Sequence, residues 1–101
     1  MAEMGAQWEF QDRVATAFDE VGVLTEMGRE GWEMTRFGPF VLHFRRPLDP
    51  DQRVAWEYRR ETEFNFGTPA GLARLQQEGW SYCGSWMMTF HYYKRAGRSG
   101  A

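Results

Sequence analysis

Cys83, His43 and His91 are the side chains whose types could most directly carry out chemistry in this sequence. A catalytic thiol needs a neighbouring base that accepts its proton, so Cys83 with either histidine would suit nucleophilic catalysis. No catalytic signature surrounds these residues, and they lack the close ligand spacing typical of a metal site. We therefore predict no catalytic residue, no metal site and no cofactor. Small-ligand binding or an enzyme using Cys83 and His91 is kept as an alternative.

Two pairs of carboxylates occur in matching sequence contexts and could supply an acid and a base. Glu9 corresponds to Glu57, and Glu30 corresponds to Glu78. The first pair falls on the polar side of predicted strands and the second near predicted helix ends, where solvated carboxylates are common. The sequence also contains no phosphate-binding glycine loop, nucleotide-binding fingerprint or nucleophile elbow. These observations favour a non-enzymatic protein.

Basic residues cluster in three pairs at or near predicted strand ends. The pairs are Arg45 with Arg46, Arg59 with Arg60, and Lys94 with Arg95. Cations beside exposed aromatic rings could contact phosphates while the rings stack on bases, as in single-strand nucleic-acid binding. The alternative is that the arginines protect sheet edges and cover neighbouring rings with their stems. The net charge of -2, from 12 basic and 14 acidic residues, favours this second interpretation.

The composition predicts one globular domain with an aromatic core. The 101 residues are 43% hydrophobic and 26% charged, which excludes a disordered or collagen-like chain, and 17% are aromatic. A single cysteine excludes an intramolecular disulfide framework and favours a reducing compartment. No apolar run approaches the roughly 20 residues that span a bilayer, and the amino terminus lacks the pattern of a signal peptide. We therefore predict a cytoplasmic protein with no membrane insertion.

An internal repeat is the strongest pattern in the sequence. Residues 8–10 (Trp-Glu-Phe) match 56–58 (Trp-Glu-Tyr), and residues 30–32 match 78–80 (both Glu-Gly-Trp), each 48 positions apart. Residues 44–46 (Phe-Arg-Arg) match 93–95 (Tyr-Lys-Arg) at 49 positions, so the second copy holds one extra residue, which we place in a turn. Such ordered self-similarity predicts two copies of one unit, about residues 6–46 and 54–95.

Each copy has the pattern of a strand, a helix and two further strands. The first helix would have Thr16 as its N-cap, and the second would begin at residues 68–69 (Thr-Pro). Both helices would end at glycine, at Gly31 and Gly79, before a tryptophan that begins the next strand. Residues 38–39 (Gly-Pro) and 84–85 (Gly-Ser) lie between alternating apolar runs and predict hairpin turns.

The predicted fold is therefore α+β: a two-layer, tandem β-α-β-β repeat with a mostly antiparallel sheet and two helices on one face. Residues 96–101 would form a flexible tail. The other sheet face would be open and too apolar for simple exposure to solvent. Its predicted members are Val41, His43, Met87, Thr89, His91 and Tyr93.

The sequence resembles a bacterial family, the domain of unknown function numbered 2812, and each half is similar to the short family numbered 4177. The residues that carry this resemblance are 24–32 (Leu-Thr-Glu-Met-Gly-Arg-Glu-Gly-Trp), 44–47 (Phe-Arg-Arg-Pro), 56–59 (Trp-Glu-Tyr-Arg), 78–82 (Glu-Gly-Trp-Ser-Tyr), Trp86 and 92–95 (Tyr-Tyr-Lys-Arg). The resemblance covers about residues 18–95. It implies the fold and no catalytic residue.

The function predicted from these observations is a non-enzymatic interaction or oligomerisation module. Aromatic anchors dominate protein interfaces, and an unpaired sheet edge favours a symmetric homodimer, although a different protein partner would also fit. The candidate ligand or interface residues are Trp86, His91, Tyr92, His43 and Tyr93. Single-stranded nucleic-acid binding through arginines and aromatic residues is the first alternative.

Overall fold

The computed structural model describes residues 7–63, 68–86 and 89–97. Within these ranges the chain forms six strands, two α-helices and one short 3₁₀ turn. In chain order the elements are β1 (Trp8–Val14), α1 (Glu20–Arg29), β2 (Glu33–Gly38), β3 (Val41–Pro47), the 3₁₀ turn (Pro50–Gln52), β4 (Trp56–Thr62), α2 (Leu72–Gln77), β5 (Ser81–Trp86) and β6 (Phe90–Ala96).

The strands form two antiparallel sheets of three strands each, so the predicted α+β class is confirmed, but a single continuous sheet is not formed. The first sheet has the order β1-β3-β2 and the second has the order β4-β6-β5. In both sheets the last strand of its half lies in the centre, paired with the other two. β1 and β4 are therefore edge strands, as are β2 and β5.

The two sheets also agree in strand length and register. β1 and β4 each have 7 residues, β2 and β5 each have 6, and β3 and β6 each have 7. Phe10 lies opposite Arg45 in the first sheet, and Tyr58 lies opposite Lys94 in the second. Both sheets contain one register shift along the outer hairpin strand, in β2 and in β5.

The helices begin later than the sequence predicts. Thr16 is not the N-cap of α1: its backbone N–H and hydroxyl bind the Asp19 carboxylate, and a turn precedes the helix, which starts at Glu20. In the second half, Gly71 occupies the N-cap position of α2, so the predicted start at residues 68–69 is also wrong. In the first half a local turn uses the polar residues that resemble a helix cap.

The predicted helix ends are confirmed. Gly31 and Gly79 have φ of +87° and +93°, a left-handed conformation that glycine adopts without steric cost. The next residue then bonds back to the helix: Trp32 N–H donates to Met27 O at 3.1 Å, and Trp80 N–H donates to Leu75 O at 3.0 Å. This reversal turns each tryptophan into the interior.

One of the two predicted hairpin turns lies elsewhere. The β2–β3 turn follows Gly38, as predicted, with Phe40 at a φ of +65°. Gly84 instead lies within β5 next to its register shift, and β5 continues to Trp86. The connection from β5 to β6 contains one residue more than the β2–β3 connection, which accounts for the change of offset in the sequence repeat.

Helix α1 packs between the two sheets. Leu24 and Met27 join a core cluster that includes Leu42 and Phe44 from the first sheet and Tyr92 from the second. Helix α2 covers the other face of the second sheet through a smaller cluster of Leu75, Trp80 and Tyr93. The layers therefore run from the first sheet through α1 and the second sheet to α2, which differs from the predicted arrangement of both helices on one face.

Two further predictions concern the end of the chain and the open face. Ala96 is the last residue of β6 and does not begin a tail, and residues 98–101 lie outside the described residues. Met87 also lies outside them. Of the remaining predicted open-face residues, Thr89 lies in the turn before β6. Val41 and His43 belong to the first sheet and His91 and Tyr93 to the second, so they do not share a surface.

Candidate interaction surface on the first sheet

Each basic residue that could contact nucleic acid is bound within the chain to a carboxylate and lies near an aromatic ring. The partners are Glu33 and Trp8 for Arg45, Glu9 and Trp32 for Arg46, Glu61 and Trp80 for Arg59, Glu20 and Phe90 for Arg60, Glu33 and Trp56 for Lys94, and Glu57 and Trp80 for Arg95. Their charges are therefore compensated in the folded chain, and their stems cover aromatic surface.

Arg46 and Arg95 occupy equivalent places and close the ends of the two helices. Arg46 donates to the Glu30 carbonyl at 2.8 Å and lies 4.2 Å from the Trp32 ring centre. Arg95 donates to the Glu78 carbonyl at 2.8 Å. A helix ends with carbonyl groups that lack partners inside the helix, so both arginines supply missing donors. This geometry supports a structural role for the pair.

His91 and Tyr93, which the sequence placed on an open face, are both buried. The exposed fraction of His91 is 1%, and its two ring nitrogens lie 3.0 Å from the Tyr82 hydroxyl and 2.9 Å from the Glu63 carbonyl oxygen. Tyr93 packs beneath α2 with Leu75, and burial raises the pKa of its hydroxyl. These two side chains stabilise the interior of the second half.

Tyr92 joins the second sheet to the start of α1. Its hydroxyl donates to the Glu20 carboxylate, which also accepts from Arg60 Nη1 at 2.8 Å. Burial, followed by the hydrogen bond to Glu20, raises the pKa of the Tyr92 hydroxyl. Glu20 is itself buried, so this carboxylate depends on Arg60 and Tyr92 for the contacts that water would otherwise provide.

Tyr58 and Lys94 attach the same face of the second sheet to the edge of β2. The Tyr58 hydroxyl donates to Trp32 O and accepts from Met34 N–H, both at 2.7 Å. Lys94 Nζ donates to the Glu33 carboxylate at 2.8 Å and to Met34 O at 3.0 Å. We call this surface the docked face; it consists of Trp56, Tyr58, Arg60, Tyr92 and Lys94.

Cys83 has the environment of an unreactive thiol. Burial raises its pKa to about 11, which lowers the thiolate fraction at neutral pH. The cavity of about 190 Å³ that Cys83 lines also contains Lys94, but neither histidine lines it. Both ring nitrogens of His91 are already engaged elsewhere. Trp86, the remaining candidate, is half-buried and stacks on Phe90.

The first sheet leaves exposed the face that corresponds to the docked face. Phe10 and Val14 have exposed fractions of 72% and 78%, unusual for large apolar side chains in a strand. Asp12 and His43 form the polar part of this surface, with 2.7 Å between Oδ1 and Nδ1. We call it the open face; it consists of Trp8, Phe10, Asp12, Val14, Val41, His43 and Arg45.

The edge of β1 is also available for pairing. The backbone groups of odd-numbered residues point toward β3: Gln7 O accepts from Leu48 N–H at 3.0 Å, and Ala15 N–H donates to Phe40 O at 3.1 Å. Trp8 lies opposite Pro47, which has no N–H to donate. Backbone groups alternate in direction along a strand, so even-numbered residues of β1 point away from β3. No described strand pairs with this edge.

The equivalent edge of β4 is covered by α1. A methyl group added at Gly28 would lie 2.1 Å from the Trp56 carbonyl oxygen, so the helix touches the backbone of β4 there. A cleft of about 450 Å³ continues this contact between α1 and residues 55–58. The two halves thus differ in two ways: the first sheet has an exposed face and an exposed β1 edge, whereas the docked face and the β4 edge of the second sheet are covered.

Within the described ranges, no group of three or more histidine, cysteine or acidic residues could hold a metal ion. No helix in those ranges is long and apolar enough to cross a bilayer. No protein-family model matches the chain, and no curated protein or solved structure shows significant similarity to it. The resemblance to the family numbered 2812 stays a prediction.

Sequence reasoning missed Phe10 and Val14 as candidate surface residues because apolar residues that alternate with polar ones, as in β1, are typical of a half-buried strand. A signal was nevertheless present. Phe10 and Tyr58 occupy equivalent positions, and only Tyr58 carries a hydroxyl group that could join another element. That difference between the copies distinguishes a free face from a docked one.

Proposed function

We propose that this chain is a non-enzymatic interaction module that self-associates through the open face and the β1 edge of its first sheet. The observation that carries the proposal is the exposure of Phe10 and Val14, because the equivalent of Phe10 in the second sheet is Tyr58, a member of the docked face. An exposed apolar patch next to an unpaired strand edge is typical of a protein interface.

The charges of the module support protein association over nucleic-acid binding. A surface that binds phosphates needs cations that are free to release counterions. Arg46, Arg60 and Lys94 instead bind carboxylates and backbone carbonyls of their own chain. Arg45 lies on the open face, but Glu33 accepts from its Nε at 3.2 Å.

We also propose that the two halves descend from one duplicated β-α-β-β unit. Equal strand lengths, matching sheet order and equivalent ladder pairs support this origin. In this proposal, an ancestral unit associated with a second copy, and duplication placed two units in one chain. The docked face of the second sheet would be the internal remnant of such association, and the open face of the first sheet would be the equivalent surface left exposed.

The test is the molar mass in solution, measured by light scattering and by sedimentation over a range of protein concentrations. The expected result is a concentration-dependent dimer that Phe10→Glu dissociates, because the substitution places a charge in the apolar patch beside the β1 edge. Phe18→Glu is the matched control, since Phe18 is fully exposed and lies outside both defined faces. A wild-type chain that stays monomeric at every concentration overturns the proposal.

A further inference from the structure

We infer that the partner of the β1 edge is the β1 strand of a second copy, paired antiparallel about a twofold axis through Gln11. This inference rests on the proposed self-association and adds its geometry. The outward-pointing backbone groups belong to Trp8, Phe10, Asp12 and Val14, which form one uninterrupted series along the edge. Two such edges related by a twofold axis satisfy each other's donors and acceptors.

The side chains of β1 select this axis among the available ones. An axis through Glu9, Asp12 or Arg13 would place identical charges directly opposite each other, which is unfavourable in an antiparallel pair. An axis through Phe10 would pair only the part of the strand from Trp8 to Asp12. The axis through Gln11 pairs the whole of β1, from Trp8 to Val14.

In the Gln11 register two pairs of opposed side chains are complementary, while Phe10 faces Asp12 of the partner copy. Glu9 faces Arg13 of the partner copy, and Trp8 faces Val14 of the partner copy, on opposite faces of the joined sheet. Both contacts that Glu9 makes with Arg46 and Arg53 use Oε2, and no described residue donates to Oε1. Among the described residues, Arg13 contacts Glu26 at 3.6 Å and the Met27 sulfur at 3.3 Å. Both groups therefore have capacity for a further partner.

A head-to-tail arrangement, which would repeat the internal contact between the halves, is opposed by the sequence. That arrangement would place α2 of one copy on the open face of another, in the way that α1 lies on the docked face. Gln76 occupies the position of Gly28, where even a methyl group would lie 2.1 Å from a backbone oxygen. Phe10 also lacks the hydroxyl by which Tyr58 binds β2.

The first experiment places a thiol on the proposed axis. In a Cys83→Ala background, Gln11→Cys would bring two thiols together at a non-hydrogen-bonded pair, where Cα atoms are about 4.5 Å apart and a disulfide fits. We expect rapid formation of a covalent dimer with diamide as oxidant. Arg59→Cys is the matched control, because Arg59 is the equivalent residue of β4, and it should crosslink at least roughly tenfold more slowly.

The second experiment changes a charge in the proposed register. Arg13→Glu would oppose two glutamates at both symmetric positions and should raise the dimer dissociation constant roughly tenfold. Arg74→Glu makes the same charge change on the exposed surface of α2 and should leave dimer formation unchanged. Far-UV circular dichroism would check that each variant is folded.

The outcomes separate this inference from the proposed function. Rapid crosslinking of the Gln11→Cys variant, together with a dimer that Arg13→Glu weakens, supports both. A dimer that the Gln11→Cys substitution fails to crosslink, or that Arg13→Glu leaves intact, overturns the β1 register while self-association stands. A wild-type monomer at every concentration overturns the two proposals together.

Discussion

The two sheets share their strand order and register, yet one is enclosed and the other has a free face and a free edge. The docked face carries Tyr58, Arg60 and Tyr92, whose polar groups bind α1 and β2. At the equivalent positions the open face has Phe10, Asp12 and His43. Strand order and register therefore do not determine which sheet is covered; the side chains do.

This difference teaches that a few polar groups determine how the halves assemble. Apolar surface alone would allow either sheet to pack on a helix, because burial is not directional. Hydrogen bonds from Tyr58 and Tyr92 to defined partners select one arrangement, since leaving their buried partners unsatisfied would be costly. Substitutions that make the sheets more alike, or that separate them, test this interpretation.

The largest effect is expected where α1 meets β4. Gly28→Gln copies the residue of α2 into α1, and its side chain would collide with the Trp56 carbonyl. We expect a loss of about 3 kcal/mol in the free energy of unfolding, measured in urea. Gly22→Ala is the control, because no atom lies within 4 Å of an added methyl group there, and it should stabilise α1 by up to about 1 kcal/mol. Equal stabilities of the two variants would contradict the contact.

A smaller loss is expected at the buried carboxylate that joins α1 to the second sheet. Glu20→Gln removes the charge that binds Arg60, and we expect the free energy of unfolding to fall by about 2 kcal/mol. Glu26→Gln changes an exposed carboxylate 3.6 Å from Arg13 and should alter stability by less than about 0.5 kcal/mol. If both variants have wild-type unfolding midpoints, Glu20 does not hold the halves together.

The exchange of Tyr58 and Phe10 tests the comparison most directly. Tyr58→Phe makes the second sheet resemble the first and leaves Met34 N–H without its 2.7 Å partner, at a cost of about 1.5 kcal/mol. Phe10→Tyr adds a hydroxyl group on an exposed ring and should change stability by less than about 0.5 kcal/mol. Thermal unfolding of the two variants side by side gives the answer. A destabilised Phe10→Tyr protein, measured at concentrations where the chain is monomeric, would contradict the exposure of Phe10.

The smallest expected effect concerns the reactivity of the Cys83 thiol, which should have little influence on stability at neutral pH. A pKa of about 11 instead of 9.0 predicts alkylation by iodoacetamide at pH 8 roughly hundredfold slower than in the urea-unfolded chain. Because the folded state holds this proton more tightly, the thiol contributes stability that is lost as pH rises from 9 toward 11. Thr35→Cys in a Cys83→Ala chain is exposed at the equivalent position and should react at the ordinary rate. Similar rates for the two folded proteins would contradict the burial of Cys83.

Part of the candidate surface could be predicted from the sequence. The sequence predicts Arg45 and His43 as candidate contact residues, and both lie on the open face. Tyr92 and Tyr93 were named for the same reason, their place on a strand, yet both are buried. Alternation along a strand separates its two faces but does not say which face another element will cover.

Local features were determined by the sequence wherever one residue type had a unique physical advantage. Glycine tolerates the left-handed conformation at Gly31 and Gly79, so both helix ends followed from the sequence. The order of elements within each half and the α+β class followed from hydrophobic periodicity. The division into two sheets, the position of α1 between them and the exposure of Phe10 depended on contacts between residues far apart in the chain. Such contacts arise from many weak, non-directional apolar interactions and a few hydrogen bonds, and only the folded chain reveals which of them form.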